Sequence, residues 1–367
     1  MGVSSWPVSG ERERELLLEV LASDRWGGHH PIVKRFEQLF ATFQQCQFGV
    51  AAANGTVTLE MALEALDIGP GDEVIVPAIS FISTATAISR VGATPVFVDI
   101  EPDTFQIDPR AVRAALSSST RAIMAVHFGG SMANMDELCT IAVEAGVALV
   151  EDAAHAHGSE WKGRRAGSIG HVGSFSFQNS KVMTAGEGGI LTTNDAELEA
   201  RMRSIGDQGR VAGGNWFSHH EIGTNYRMTG WQAAILIAQL ERLPDQNCLR
   251  ASNARYLRTE TRDVPCLHWQ AIAPEAAVQT NYLALGRIRD RDSFVQRLQA
   301  AGVPCTPFYP HTLYNNPVYR RGGCRVLPCP SAEARITDAF WLPHRVLLGT
   351  TEDMRTVVEK IQEAASR

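Results

Sequence analysis

The stretch GSFSFQNSKVMTAGEGGILTTN, residues 173–194, sets one lysine between a strand of small and apolar residues and a glycine-rich return to a second strand. Residues 172–177 alternate apolar and small side chains with the two-residue period of a strand. The glycines of 184–189 supply the tight turn that a second strand over 188–193 requires. Lys181 therefore falls at a strand end, among Ser, Gln, Asn and Gly. An amine on a flexible four-carbon stem in such a place can lose its proton and attack an aldehyde, which is Schiff-base chemistry. Most lysines are solvated surface charges, so this reading needs partners from elsewhere in the chain.

Two other stretches supply them. The run ALVED, 148–152, is an apolar strand ending in two acids, followed by Ala153, Ala154 and His155 as in a loop that faces a ligand. A carboxylate at that strand end, Asp152, suits the protonated ring nitrogen of pyridoxal phosphate, whose action as an electron sink depends on that charge. Upstream, residues 48–54 read as a short strand, followed by Gly55, Thr56 and an amphipathic helix over 58–66. Backbone amides at a helix start, a glycine that permits close approach and a threonine hydroxyl suit a phosphate dianion without a Walker-type lysine.

These segments are set in a repeating frame. Apolar runs at 73–77, 95–99, 122–127 and 147–152 alternate with helical patterns at 83–91, 109–116 and 135–145, which predicts βαβ units around a mainly parallel sheet, an α/β fold. Ligands in such sheets bind beyond the carboxyl ends of the strands, where Phe81, His127, Asp152 and Lys181 all fall. Helical patterns at 11–21 and 32–43 flank a loop, Arg25-Trp26-Gly27-Gly28-His29-His30-Pro31. A long pattern over 231–243 stops at Pro244, which predicts a large domain at 1–244 and a smaller α+β domain at 245–367. The smaller one reads as helices at 247–257, 292–300 and 351–364 with short apolar runs at 282–288 and 303–306.

Composition excludes several classes. The chain has 367 residues, 44% hydrophobic and 20% charged, and a net charge of −6. That is ordinary globular usage, and it argues against a general nucleic-acid or anionic-membrane surface while leaving room for a local anion pocket. Seven cysteines with no CxxC spacing suit reduced thiols and give no zinc site. No apolar run reaches the ~18 to 20 residues of a membrane helix, and the first residues lack the apolar core of a signal peptide, so a cytoplasmic location is expected.

In chain order, Asp24-Arg25-Trp26-Gly27, the Asn54-Gly55-Thr56 turn, GPGDEVIVPAISFISTATAI, VHFGGSMANMDEL, Asp152 with His155, Ser176 with Lys181, and Gly223-Thr224-Asn225-Tyr226-Arg227-Met228 resemble the DegT/DnrJ/EryC1/StrS aminotransferases, fold-type I enzymes dependent on pyridoxal 5'-phosphate. Within that family, EDAAHAHGSEWKGRRAGSIG and FSFQNSKVMTAGEGG are most similar to 3-amino-5-hydroxybenzoate synthase and the scyllo-inosose type aminocyclitol aminotransferases. The resemblance implies that Phe81 stacks on the cofactor ring and that His155 contacts the ring or its phenolic oxygen. Gln178, three residues before Lys181, is placed to hydrogen-bond cofactor or substrate. The resemblance further implies that the Trp26 loop folds over the site and that Tyr309, His311 and Tyr314 face the acceptor pocket. Asn225 would reach the cofactor phosphate of a neighbouring subunit and Arg227 its substrate, giving a homodimer with shared sites. Many members follow Asn-Tyr-Arg-Met with a polar residue and Glu; this chain has Thr229-Gly230-Trp231, so contacts of that Glu are not carried over. The implied reaction moves an amino group from glutamate or glutamine to a ketone on a sugar or cyclitol. A dehydration and aromatisation on the same cofactor, and a non-catalytic cofactor-binding regulator, stand as alternatives.

Overall fold

The computed structural model describes residues 5–366. Two helices, α1 (Glu11–Leu21) and α2 (Pro31–Phe43), precede the large sheet. Its strands alternate with helices as the βαβ pattern requires: β1 (Phe48–Ala52), α3 (Gly55–Ala65), β2 (Glu73–Pro77), α4 (Ser83–Arg90), β3 (Thr94–Val98), α5 (Pro109–Ala115), β4 (Thr120–Val126), α6 (Met135–Ala145) and β5 (Ala148–Asp152). A small ribbon, β6 (Glu160–Trp161) with β7 (Arg164–Arg165), leads into β8 (Val172–Ser176), β9 (Gly189–Thr193) and α7 (Ala196–Gly206). Helix α8 (Gly230–Glu260) then leads to β10 (His268–Trp269), β11 (Leu283–Arg287), α9 (Arg291–Ala300), β12 (Thr306–Pro307), β13 (Arg325–Val326), α10 (Pro330–Asp338), β14 (Ala339–Pro343) and α11 (Thr351–Ala365).

The eight-stranded sheet has the order β1-β9-β8-β5-β4-β2-β3-β13. Only β9 runs against the rest, pairing antiparallel with both β1 and β8. Strands of this sheet read as near-continuous Val, Ile, Ala and Phe because both faces are covered, one by the core around Phe36, Phe40 and Phe175 and the other by the core around Leu59, Met61 and Phe97. The reversal at β9 forces the chain to turn back after β8. Lys181 stands in that connection, just beyond the strand end.

A second, four-stranded sheet, β10-β11-β14-β12, is antiparallel and carries its own core with Phe294, Leu298 and Ile361. The sequence pattern places a helix end at Pro244, whereas α8 runs unbroken from Gly230 through Pro244 to Glu260. Proline removes one helical donor and crowds the preceding turn. Here α8 packs on α1 and α2 along its first half and on α11 further on, and that packing outweighs the local cost. The later chain also returns to the large sheet: β13 pairs with β3, and Leu313 and Tyr319 lie in the large sheet's core.

Candidate active site

A cleft of about 770 Å³ opens at the carboxyl ends of β2, β5 and β8, between the two sheets. It gathers Gly55, Thr56, Phe81, Asp152, His155, Ser176, Gln178, Lys181 and Tyr309, nine residues named above from sequence, into one wall.

The start of α3 forms one end of it. Asn54 caps the helix by accepting the Thr56 and Val57 N–H groups at 3.0 and 3.1 Å, so the turn is fixed before any ligand arrives. A Cβ on Gly55 would stand 2.5 Å from Ser176 Cβ, which is why only glycine allows α3 to abut the end of β8. The Thr56 and Ser83 hydroxyls meet at 2.8 Å, and Ser176 completes a set of hydroxyl donors beside the positive end of the helix. This donor set fits a phosphate group.

At the other end lies Asp152, buried at the tip of β5. Thr84 donates its hydroxyl to Oδ2 at 2.7 Å and is itself 2.6 Å from the Ser80 hydroxyl, while Oδ1 accepts the Ala154 N–H at 3.3 Å. Burial pushes the carboxyl up from its ordinary range; the Thr84 and Ala154 bonds and the Lys181 charge only partly offset it. A buried carboxylate with no cation in hydrogen-bond contact among the described residues suits a protonated ring nitrogen. The neighbouring acid behaves differently. Glu151 is locked inside by His127 Nε2 at 2.8 Å and by the N–H groups of Gly167, Ile169 and Gly170, which together hold it below the usual carboxylate range despite full burial. His127 thus lies at the strand end as its position predicts, but it braces Glu151 and lines no part of the cleft.

His155 accepts the Gly129 N–H on Nδ1 at 3.3 Å, which assigns its proton to Nε2, and burial together with the Lys181 charge pushes it well below its ordinary value. It is a neutral donor, lying 4.2 Å from the Tyr282 ring. Phe81, at the cleft, is 57% exposed, an unusual state for a phenylalanine that nothing covers.

The Lys181 connection is pinned from behind. His157 Nε2 donates to the Ser176 carbonyl and His344 Nε2 to that of Ser180, each at 3.0 Å; Arg250 donates to the Val182 carbonyl at 3.3 Å. Gln178 closes the turn by accepting the Ser180 N–H at 2.8 Å, and the Ser180 hydroxyl lies 2.9 Å from the Tyr282 hydroxyl. Lys181 Nζ itself sits 4.8 Å above the Tyr282 ring. Sequence reasoning missed Tyr282, Thr84, Ser80 and Ser83. The last three stand in SFISTAT, where Ser80 precedes α4 in the bend after β2 and meets the Thr84 hydroxyl of the first helical turn; Tyr282 carries no local signal, because it is brought in by the second sheet.

Other residues named from sequence lie outside this wall. Trp26 is 51% exposed and packs on Trp231, with its carbonyl accepting the Gly230 N–H at 2.9 Å. His311 and Asn225 are exposed, and Arg227 pairs with Asp207. Tyr314 turns away from the cleft: its hydroxyl donates to Glu333 at 2.8 Å and its ring packs on Phe97.

Burial and the Lys181 charge push His157 down to about 3. An unfolded histidine titrates near 6.5, so below that pH the unfolded chain takes up a proton that the folded chain refuses. Stability therefore rises with pH across this window and falls on acidification, by up to about 1.4 kcal/mol per pH unit from this group. Urea titrations of the wild type and His157→Gln between pH 7 and pH 5 should show a flatter dependence in the variant. Parallel dependences would contradict the assignment.

The sequence matches the DegT/DnrJ/EryC1/StrS aminotransferase family over residues 7–362. It is 36% identical to a 3-amino-5-hydroxybenzoate synthase of Amycolatopsis mediterranei (strain S699), over 99% of this chain and 97% of that protein. It is also 36% identical to an L-glutamine:2-deoxy-scyllo-inosose aminotransferase of Streptoalloteichus tenebrarius, over 97% of this chain and 92% of that protein. A crystal structure of a 3-amino-5-hydroxybenzoic acid synthase superposes with a TM-score of 0.95 at 35% identity, covering 99% of this chain and 98% of the other. The family model, the curated relatives and the superposed structure all match along nearly the whole length, and the chain belongs to the DegT/DnrJ/EryC1/StrS aminotransferase family.

Proposed function

We propose that this protein is a pyridoxal-phosphate-dependent aminotransferase that passes an amino group from glutamate or glutamine to a ketone on a sugar or cyclitol. The observation that carries the reading is the convergence of Lys181, Asp152 and the α3 start on one cleft. When bound, the cofactor supplies an aldehyde and an electron-poor ring able to delocalise the electron pair left by a departing Cα proton. The rest is the work of the chain. The α3 amide end and the Thr56 and Ser176 hydroxyls hold the phosphate, Phe81 covers one ring face, and His155 Nε2–H donates to a ring oxygen. Asp152 keeps the ring nitrogen protonated. Lys181 Nζ takes the proton from the donor's α-carbon and delivers it on the far side of the transfer, then reverses both moves for the acceptor. Gln178 and Tyr309 border the space left for substrate.

Supplying glutamine or glutamate without acceptor to the cofactor-loaded protein should release about one 2-oxo acid per site, since a transaminase stops halfway when no ketone is present. Cofactor-loaded protein that releases none would overturn the reading and favour a binding-only role. The likeness to 3-amino-5-hydroxybenzoate synthase supports a second reading, dehydration and aromatisation of an amino-dehydroshikimate, in which an aromatic ultraviolet absorbance would grow in the product.

The reading includes a cytoplasmic homodimer, and a division of each chain near residue 244 into a large and a small domain. Phe217 and Ile222, 85% and 98% exposed on the segment between Asp207 and Asn225, are large apolar side chains that a second subunit would cover. Asn225, Arg227, Trp26 and His311 would then serve the partner's cleft or close over it. Mixing Lys181→Ala with Asn225→Ala subunits should regenerate hybrid dimers with one intact site, recovering as much as about a quarter of wild-type activity. No recovery after verified subunit exchange would show that each site is built from one chain. No helix of the described residues is long and apolar enough to cross a membrane, and no cluster of His, Cys, Asp or Glu among them is arranged to hold a metal.

A further inference from the structure

The second half of α8 carries Arg255 and Arg258, and Arg262 follows just past its end, at spacings of three and four. With Thr259, Ile272 and Asn281 they line a concave pocket of about 390 Å³, and no acidic residue lines it. Arg255 and Arg258 make no hydrogen bond or ion pair to any described residue. Arg262 meets only the neighbouring Asp263, at 3.4 Å, where both side chains are largely exposed and such a contact is worth little. Elsewhere two buried acids take up guanidinium groups, Glu37 that of Arg203 and Glu13 that of Arg242. In a chain of net charge −6, two unpaired arginines and a third paired only with an exposed aspartate around one hollow are a local reversal of sign.

Helix geometry explains part of this arrangement. A cation in the last helical turn is favoured by about 0.3–1 kcal/mol through the carbonyl end of the helix, which accounts for Arg258. It does not account for Arg255 a turn earlier or for Arg262 beyond the helix end, and like charges at these spacings repel. Arg258 is the most buried of the three, and burial alone pushes its guanidinium down to about 10 with no carboxylate to offset the shift. The side-chain amides of Asn281 and nearby Gln279 donate to the Gln279 and Ala276 carbonyls and to Ser131, while the Arg255 and Arg258 guanidiniums and the Thr259 hydroxyl line the hollow as free donors. Planar guanidinium forks match phosphate oxygens in pairs, and the volume and concave shape suit a small molecule rather than a flat protein surface. The pocket stands back to back with the cleft: Asn281, at φ 50°, lines one and Tyr282 the other.

We propose that this arginine pocket is a second small-molecule site that binds a phosphate-bearing metabolite, distinct from the Lys181 cleft and independent of the reaction assigned there. The test uses the full-length protein saturated with pyridoxal phosphate, so that the phosphate end of the cleft is filled, and inorganic pyrophosphate as the probe in titration calorimetry at low salt. One pyrophosphate per chain should bind, more weakly as salt rises, and the Arg255→Ala/Arg258→Met variant should lose about 10-fold or more in affinity while its release of 2-oxo acid from glutamine stays at the wild-type level. Arg255→Ala alone changes only an exposed side chain and should lose about 3-fold, which keeps the proposal decidable if the double variant fails to fold. Wild-type protein that takes up no pyrophosphate at millimolar concentration, or variants that bind it as the wild type does, would overturn the proposal.

Discussion

Lys181→Ala is expected to abolish transamination, lowering turnover by at least about 10⁴-fold, because the substitution removes both the amine that holds the cofactor's aldehyde and the base that moves the proton. No other side chain can substitute. The remaining lysines are Lys34, exposed on α2, Lys162, paired with Asp136, and Lys360, paired with Glu363 on α11. The fold should be indifferent to the change. The hydrogen bonds that pin this connection are made by His157, His344, Arg250, Gln178 and Tyr282 to main chain or to Ser180, none of them through Nζ. Urea midpoints within about 1 kcal/mol of wild type, together with loss of the cofactor's visible absorbance, are the expected result. A variant retaining a few per cent of activity would place the catalytic amine elsewhere.

Asp152→Asn carries the second largest effect, with stability and activity expected to move apart. An amide accepts the Thr84 hydroxyl as the carboxylate does, but it cannot hold a ring nitrogen in its charged form. The proton-abstraction barrier should rise by about 2–4 kcal/mol, or roughly 30- to 1,000-fold in rate. In the cofactor-free protein the sign reverses. Burial raises the Asp152 pKa, so above the unfolded value the unfolded chain gives up a proton that the folded chain retains, and stability falls as pH rises toward the folded pKa. Asn removes that cost. Cofactor-free Asp152→Asn should therefore unfold at the same temperature as wild type or higher near neutral pH, while the loaded enzyme is slow. Near-native turnover would mean that another acid serves the ring nitrogen.

The βαβ frame was legible because its signals are local. Strand runs at 73–77 and 148–152 and the helix at 135–145 coincide with β2, β5 and α6, since apolar runs bounded by turns and a 3.6-residue stripe are written into neighbouring residues. Phe81, Asp152, Ser176 and Lys181 were legible for the same reason, since each stands at or just after a strand end, whereas the hydroxyls of Ser80, Ser83 and Thr84 beside Phe81 were passed over. What was not legible depends on distant packing. Pro244 reads as a stop, yet α8 continues because α1, α2 and α11 hold it. Tyr314 stands five residues from Tyr309 in the sequence, and a single turn of chain sends its ring to Phe97 instead of the cleft. Tyr282 enters from the other sheet, a placement that no spacing within its own segment encodes.

The claim at the centre is that Lys181 carries the cofactor. Reduction of the cofactor-loaded protein with borohydride, followed by proteolysis and mass analysis, reads that bond directly, because reduction makes the carbon–nitrogen link permanent. One phosphopyridoxyl group per chain on the peptide containing Lys181 is the predicted result. A group on Lys34, Lys162 or Lys360, or none at all on protein that holds the cofactor, would contradict it.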